Sequence, residues 1–395
     1  MDALQTLAFA GLALAVGEAL RRFVPVLARI NLPGAVLGGL AVAFATLLLP
    51  EFGIRPPAFD TTLQKPLLVA FFATLGFSAS LPLLRAGGRQ VFLFLGLAAL
   101  LAFSQGLLGI GIASAFGLPP LFGVLTGTAT LAGGPATALA FAPAFEQAGI
   151  SGAGAIGIVA AMGGIVLGGL VGGPLAGRLI EGKGWLGSGA RPGMPSAAMP
   201  IDPGVAAAPT VAVTAVLPAL VLVLLVMALG GFIGAAITAA GVTLPAYVGA
   251  MLAAAVVRNA ADGLGRPLPL AVLEMLGNIA LPLFMAMALM TLDLRQLAGL
   301  AAPLAVNLVA QVGLVVAVAY WIVPRVMGRD YDAVVMSGGY TGFMLGTTAN
   351  AMAVMGTLVN RYGPAPRAYL VAPLVGAFFI DFTNAVLLTF FLNLG

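Results

Sequence analysis

Val375-Gly376-Ala377-Phe378-Phe379-Ile380-Asp381-Phe382-Thr383-Asn384 lies inside an apolar run from Tyr369 to Leu392. That run is long enough to cross a bilayer. Asp381 sits near its middle. A carboxylate at such depth costs about 2.5–3.5 kcal/mol on insertion scales, and intramembrane acids as a rule face a cavity or a partner. Just upstream runs a second apolar stretch, broken by glycines: Gly338-Gly339-Tyr340-Thr341-Gly342-Phe343-Met344-Leu345-Gly346-Thr347-Thr348-Ala349-Asn350. These two stretches, with a counterpart in the first half, are expected to form an ion and solute site at mid-membrane.

The rest of the chain agrees with that setting. Of its 395 residues 61% are hydrophobic and 8% charged, against about 25% charged in soluble domains. Apolar runs of about 17–25 residues predict an all-α integral membrane protein; barrel strands would be about 10 residues long and alternating. The formal charge of +4 is too thin for a nucleic-acid partner and reads as loop charge. There is no histidine and no cysteine, which removes disulfides, Cys/His metal sites and any nucleophile–His pair. An intramembrane hydrolase is thereby disfavoured and an enzyme is not expected. Met1-Asp2 carries no basic leader, so a cleaved signal peptide is not expected.

The pattern predicts spans at 3–20, 33–50, 66–84, 90–116 and 152–177, then at 211–238, 244–258, 275–292, 301–323 and 368–392. A Gly, Pro, Ser and Ala-rich linker at 181–209 separates the halves, 1–180 and 210–395. The halves repeat at an offset near 212: Leu32-Pro33-Gly34-Ala35-Val36 answers Leu244-Pro245-Ala246-Tyr247-Val248, and Gly127, Gly134 and Gly164 answer Gly339, Gly346 and Gly376. Internal repeats are a hallmark of secondary transporters.

Segments 119–149 and 333–359 each split into two arms of about a dozen residues around a Gly-rich break. Such an arm reaches about 18 Å, short of the ~30 Å hydrocarbon core. Reading both as re-entrant hairpins puts 14 of the 17 basic residues on one side, with Arg55, Lys65 and Arg295 opposite. Reading both as crossings gives about 8 against 9. The positive-inside rule selects hairpins. Two inverted five-helix repeats follow, ten membrane helices in all, with both termini outside and the linker cytoplasmic.

At a hairpin tip the first arm offers unpaired carbonyls to a cation. The second offers unpaired N–H groups to a carboxylate. Tip one contains Gly133, Gly134, Pro135, Ala136 and Thr137; tip two contains Gly346, Thr347, Thr348 and Asn350. With Asp381 these are the candidate substrate contacts. Asp381, Asn384, Asn350, Thr130 and Thr341 are the candidate Na⁺ ligands, since hydroxyl and amide oxygens suit Na⁺. The bland alternatives stay open: threonines bonding their own helix carbonyls, asparagines joining neighbouring helices, and Met285, Met287 and Met290 as packing.

At this point the sequence resembles the glutamate:sodium symporter family. The resemblance rests on Gly133-Gly134-Pro135-Ala136-Thr137, Phe284-Met285-Ala286-Met287-Ala288-Leu289-Met290, Tyr331-Asp332-Ala333, the run Gly342 to Thr348 and the run Val371 to Asp381. It implies Na⁺-coupled uptake of L-glutamate across the inner membrane, Na⁺ being co-transported with no other cofactor. It also implies a homodimer with an elevator-type mechanism, whose scaffold would be the first two spans of each repeat. Pro135 and Ala136 stand where the family usually has His and Gly, and Gly346-Thr347-Thr348-Ala349 where it usually has Gly-Ala-Thr-Pro. Other readings are a carrier of a hydroxy or dicarboxylic acid, and an ion channel built on re-entrant loops.

Overall fold

The structure is a computed structural model and describes residues 1–24, 27, 32–183, 213–239, 245–297 and 299–394. Most of the linker at 181–209 lies outside the described residues, as does Leu244 of the repeat alignment. Among the described residues all regular structure is helical. In chain order the helices are α1 (Ala3–Phe23), α2 (Gly34–Leu48), α3 (Gln64–Gly76), α4 (Leu81–Ala86), α5 (Gly88–Ala115), α6 (Pro120–Val124), α7 (Gly134–Gln147) and α8 (Ala153–Lys183). The second half gives α9 (Val213–Ala239), α10 (Ala246–Gly263), α11 (Leu270–Met290), α12 (Ala301–Ala317), α13 (Val323–Met327), α14 (Tyr331–Met344), α15 (Thr348–Tyr362), α16 (Pro366–Leu374) and α17 (Ile380–Leu394). Wider π turns join α12 to α13 at Val318–Ile322 and α16 to α17 at Val375–Phe379.

Local chemistry sets several of these ends. Asp2 and Gln5 form a capping box at the start of α1, and Arg21 and Arg22 close its last turn, where cations favour the dipole. Asp330 caps α14 by accepting from the Ala333 N–H at 2.9 Å.

Seven helices among the described residues are long and apolar enough to cross a membrane. Three expected spans differ. The one at 66–84 stops as a helix at Gly76, and α10 holds the turn that follows. Asn259 donates to the Ala79 carbonyl (2.6 Å) and accepts from the Leu81 N–H (2.8 Å), and Ser80 donates to Asp262 (2.8 Å). α10 is apolar at its start but carries Arg258 and Asp262, paired at 3.0 Å, in its last turns. The last span is helical from Pro366 to Leu394 but broken in register by the π turn just before Asp381.

Packing sorts the helices into two groups. α1 and α2 pack on each other and on α11; α9 and α10 pack on each other and on α3; α3 and α11 meet between them. So α3 and α11, which the sequence reading grouped with the hairpins, belong instead with the first two helices of the opposite half. The reason is close approach. Gly17 faces Gly34 and Gly38, Gly76 faces Met251 and Ala254, and Gly230 faces Gly249 and Ala250, so tightly that an added Cβ would strike backbone or a neighbouring side chain. Small residues are what let apolar helices pack in lipid, where burial alone gives no drive. The second group holds α5 to α8 and α12 to α17, around the buried side chains of Phe94, Leu131, Tyr340, Phe343 and Met344.

Candidate functional site

Each broken segment is a helix, a short break and a second helix. α6 continues through a π turn at Leu125–Ala129, within which Gly127 leaves helical geometry (φ −102°, ψ −107°). The chain breaks at Ala132-Gly133, and Gly134, with φ +68°, starts α7 ahead of Pro135. A left-handed residue there is strained for anything but glycine, and proline suits a first helical turn. α14 ends at Met344 and α15 begins at Thr348, whose preceding residue Thr347 is the cap: its Oγ1 accepts from the Asn350 N–H at 3.3 Å. The arms of this second element lie side by side, since Gly342 abuts Asn350 and Ala351 while Gly338 and Gly339 abut Leu358 and Met355.

The two breaks meet. A Cβ on Gly134 would sit 3.1 Å from the Gly346 carbonyl and 3.2 Å from the Thr347 methyl. Between them lies a cavity of about 190 Å³. Of the sequence-derived substrate contacts, Gly133, Pro135, Ala136, Thr137, Gly346, Thr347, Thr348 and Asp381 line it. Among the described residues Asp381 is its one charged residue. The facing wall comes from the other helix group: Pro33, Phe71 and Phe72, Leu281 and Met285. Met285, given a packing role from sequence, is therefore also a cavity wall. The site sits at the seam between the two groups.

The amide and hydroxyl candidates lie behind this lining. Asn384, one turn beyond Asp381, donates to the Thr128 carbonyl (3.1 Å) and accepts from the Thr128 hydroxyl (2.7 Å). Asn350 donates to the carbonyls of Ile165 (3.1 Å) and Gly342 (3.3 Å), and its Oδ1 has no partner among the described residues. Thr130 donates to Gly127 and Thr341 to Ser337, each a carbonyl of its own helix. Thr348 donates to the Gly376 carbonyl at 3.2 Å, so tip two is tied to the π turn that precedes Asp381.

Sequence reasoning missed a buried polar layer beneath tip one. Asn307 donates to the Thr126 carbonyl (3.0 Å) and hydroxyl (2.8 Å). Gln311 donates to the Gln105 carbonyl (2.8 Å), and the Gln105 side chain donates to the Met344 carbonyl (2.9 Å) at the end of α14. All are buried. Thus Gln105 links the kink at Gly127 to tip two. The signal was present: amides inside apolar spans are costly unless bonded.

With this geometry in view, comparison with known proteins is decisive. Residues 1–364 match the model of the sodium/glutamate symporter family. The chain belongs to that family. Over its whole length it is 38% identical to a sodium/glutamate symporter of Escherichia coli K12, covering 98% of that protein. A sodium/glutamate symporter of Haemophilus influenzae is 35% identical over 97% of the chain and 95% of its own length. Asp381 and Asn384 fall beyond the stretch matched by the family model but within the full-length E. coli alignment.

Proposed function

We propose that this protein is a sodium-coupled symporter that carries L-glutamate into the cell. The observation that carries the reading is the cavity at the meeting of the two breaks. Two helix N-termini, those of α7 and α15, open toward it, and one carboxylate, Asp381, lies in an otherwise uncharged lining. Helix N-termini favour anions through free N–H groups and the dipole. L-Glutamate has two carboxylates and one ammonium, which matches two N-termini and one acid. A hydroxy or dicarboxylic acid would leave Asp381 facing no cation of the substrate.

In this reading Gly133, Gly134, Ala136, Thr137, Gly346, Thr347 and Thr348 hold the carboxylates, by backbone N–H and hydroxyl groups, while Pro135 presets the first turn of α7 and Asn350 supports tip two from behind. Asp381 takes the ammonium or a Na⁺. Asn384, Asn350, Thr130 and Thr341 supply neutral oxygens for Na⁺ near the carbonyl ends of α6 and α14. Charge compensation by co-bound Na⁺ fits a cavity that, among the described residues, no arginine or lysine lines.

The two broken elements are read as re-entrant hairpins, and the chain as two inverted repeats with ten crossings, the termini outside and the linker cytoplasmic. The exchange of α3 and α11 between halves supports the repeat, since each half contributes the same elements to both groups. We assign α1, α2, α3, α9, α10 and α11 to the scaffold of an elevator and the remaining helices to the moving part. A homodimer would pair through the scaffold.

The test is uptake of labelled glutamate into proteoliposomes under an inward Na⁺ gradient. Asp381→Asn is expected to abolish Na⁺-dependent uptake while the purified protein keeps its thermal unfolding profile. Normal uptake by that variant removes Asp381 from the mechanism.

A further inference from the structure

A second and larger cavity, about 610 Å³, lies next to the site. The two are stacked along the same three helices. α3 gives Leu68 and Val69 to the larger and Phe71 and Phe72 to the smaller; α7 gives Leu139 and Ala140, then Pro135 to Thr137. α11 gives Phe284 and Ala288, then Leu281 and Met285. Each helix therefore passes from one cavity to the other within about one turn. The partition is aromatic. Phe72, on the site side, stacks on Tyr247, on the larger side, with ring centroids 3.9 Å apart, and Phe141 meets Tyr247 edge-on.

Among the described residues, the Tyr247 hydroxyl and the Lys65 ammonium of the larger cavity have no partner. The Tyr247 hydroxyl is buried and unbonded, in a residue only 1% exposed. Lys65 is exposed and, among the described residues, is the one charged residue lining this cavity. Among the described residues its ammonium makes no ion pair. An unpaired buried hydroxyl costs about 1–3 kcal/mol, so it calls for a ligand or water. A free cation at the rim and an unbonded O–H donor buried just behind the lining complement one chemistry, a carboxylate.

We propose that the larger cavity is the entry vestibule of the transporter, an outer carboxylate site in which Lys65 draws the anion in and the Tyr247 hydroxyl receives it against the Phe72 ring. This rests on the reading of the chain as a carrier of an acidic solute. Passage to Asp381 then requires the Phe72–Tyr247 stack to part. The vestibule is lined by Gln147, near the outer end of α7, by Pro245 before α10 and by Asn393 at the chain's end, all on the face assigned to the outside.

The experiment uses the full-length protein in proteoliposomes, with Na⁺ fixed and ionic strength varied with choline chloride. Lys65→Gln is expected to raise KM for glutamate about five- to tenfold at low ionic strength, with maximal rate changed less than twofold. Lys65→Arg restores KM, and added salt shrinks the difference. Tyr247→Phe keeps the ring stack and is expected to raise KM severalfold. Arg295→Gln, on a different cavity, serves as the charge control and leaves KM unchanged. Because the chain has no cysteine, Gln147→Cys can be labelled alone: an anionic thiosulfonate added outside should block uptake, and glutamate should slow the labelling. Unchanged KM in both Lys65→Gln and Tyr247→Phe, or full uptake after labelling at Gln147→Cys, overturns the vestibule while wild-type transport proceeds. A wild-type protein that takes up no acidic solute overturns the transport reading, and this inference with it.

Discussion

Asn384 shows how one side chain can fix a whole tip. Its amide makes two bonds to Thr128, one to the hydroxyl and one to the carbonyl. That carbonyl also accepts from the N–H groups of Ala132 and Gly133 at the break itself. Asn384→Ala leaves a buried hydroxyl and weakens the anchoring of tip one. The expected loss is about 1–3 kcal/mol, read as a drop in the midpoint of thermal unfolding in detergent. Thr128→Val should lose a similar amount, and the double variant much less than the sum, because both remove the same pair. Asp381 was legible in the sequence because an acid inside a span has few bland explanations. Thr128 was not: one threonine among Thr126, Thr128 and Thr130 is singled out only by a partner 256 positions away.

Among the helices, glycine decides which can touch. Gly109 of α5 and Gly123 of α6 face each other so closely that a Cβ on either would strike the other's backbone. Gly123→Ala is expected to push α6 away at about 1–3 kcal/mol and, because α6 leads to tip one, to cut uptake as well. Uptake paired with thermal unfolding checks both. The amide layer works at the same scale. Asn307→Ala would remove both donors that reach Thr126, loosening the kink at Gly127, and a several-fold weaker Na⁺ dependence of uptake is expected if the kink shapes a cation site. The breaks at Gly133-Gly134 and Gly346 were visible in sequence because glycine and proline act locally and because each arm is too short to span. The stop of α3 at Gly76 was not, since the turn that follows it is held by Asn259 and Asp262 of a distant helix.

At the scale of the molecule, the arrangement is two helix groups with the site at their seam. On the elevator reading proposed above, movement of one group past the other would carry the cavity from one side to the other, with Phe72 and Tyr247 from the first group sliding over the tips. The topology makes a prediction of its own. In the cysteine-free background, Ser188→Cys in the linker should be labelled by an impermeant thiol reagent only after the membrane is opened, and Asn393→Cys in intact cells. Reversed labelling would overturn the orientation, and with it the assignment of hairpins.

Sequence alone determined the membrane setting, the helical class, the position of both breaks and the one acid at depth. These follow from composition, from apolar run length against the bilayer and from backbone chemistry within a few residues, all of them local. Only the tertiary structure decided that α3 and α11 exchange partners between the halves, that the two breaks touch across one cavity, and that Gln105, Asn307 and Gln311 brace them from beneath. Apolar helices in lipid present nearly equivalent faces. Their pairing is therefore set by where small residues let backbones approach and by side-chain amide hydrogen bonds between positions 181 to 239 residues apart, neither of which leaves a periodic trace in the chain.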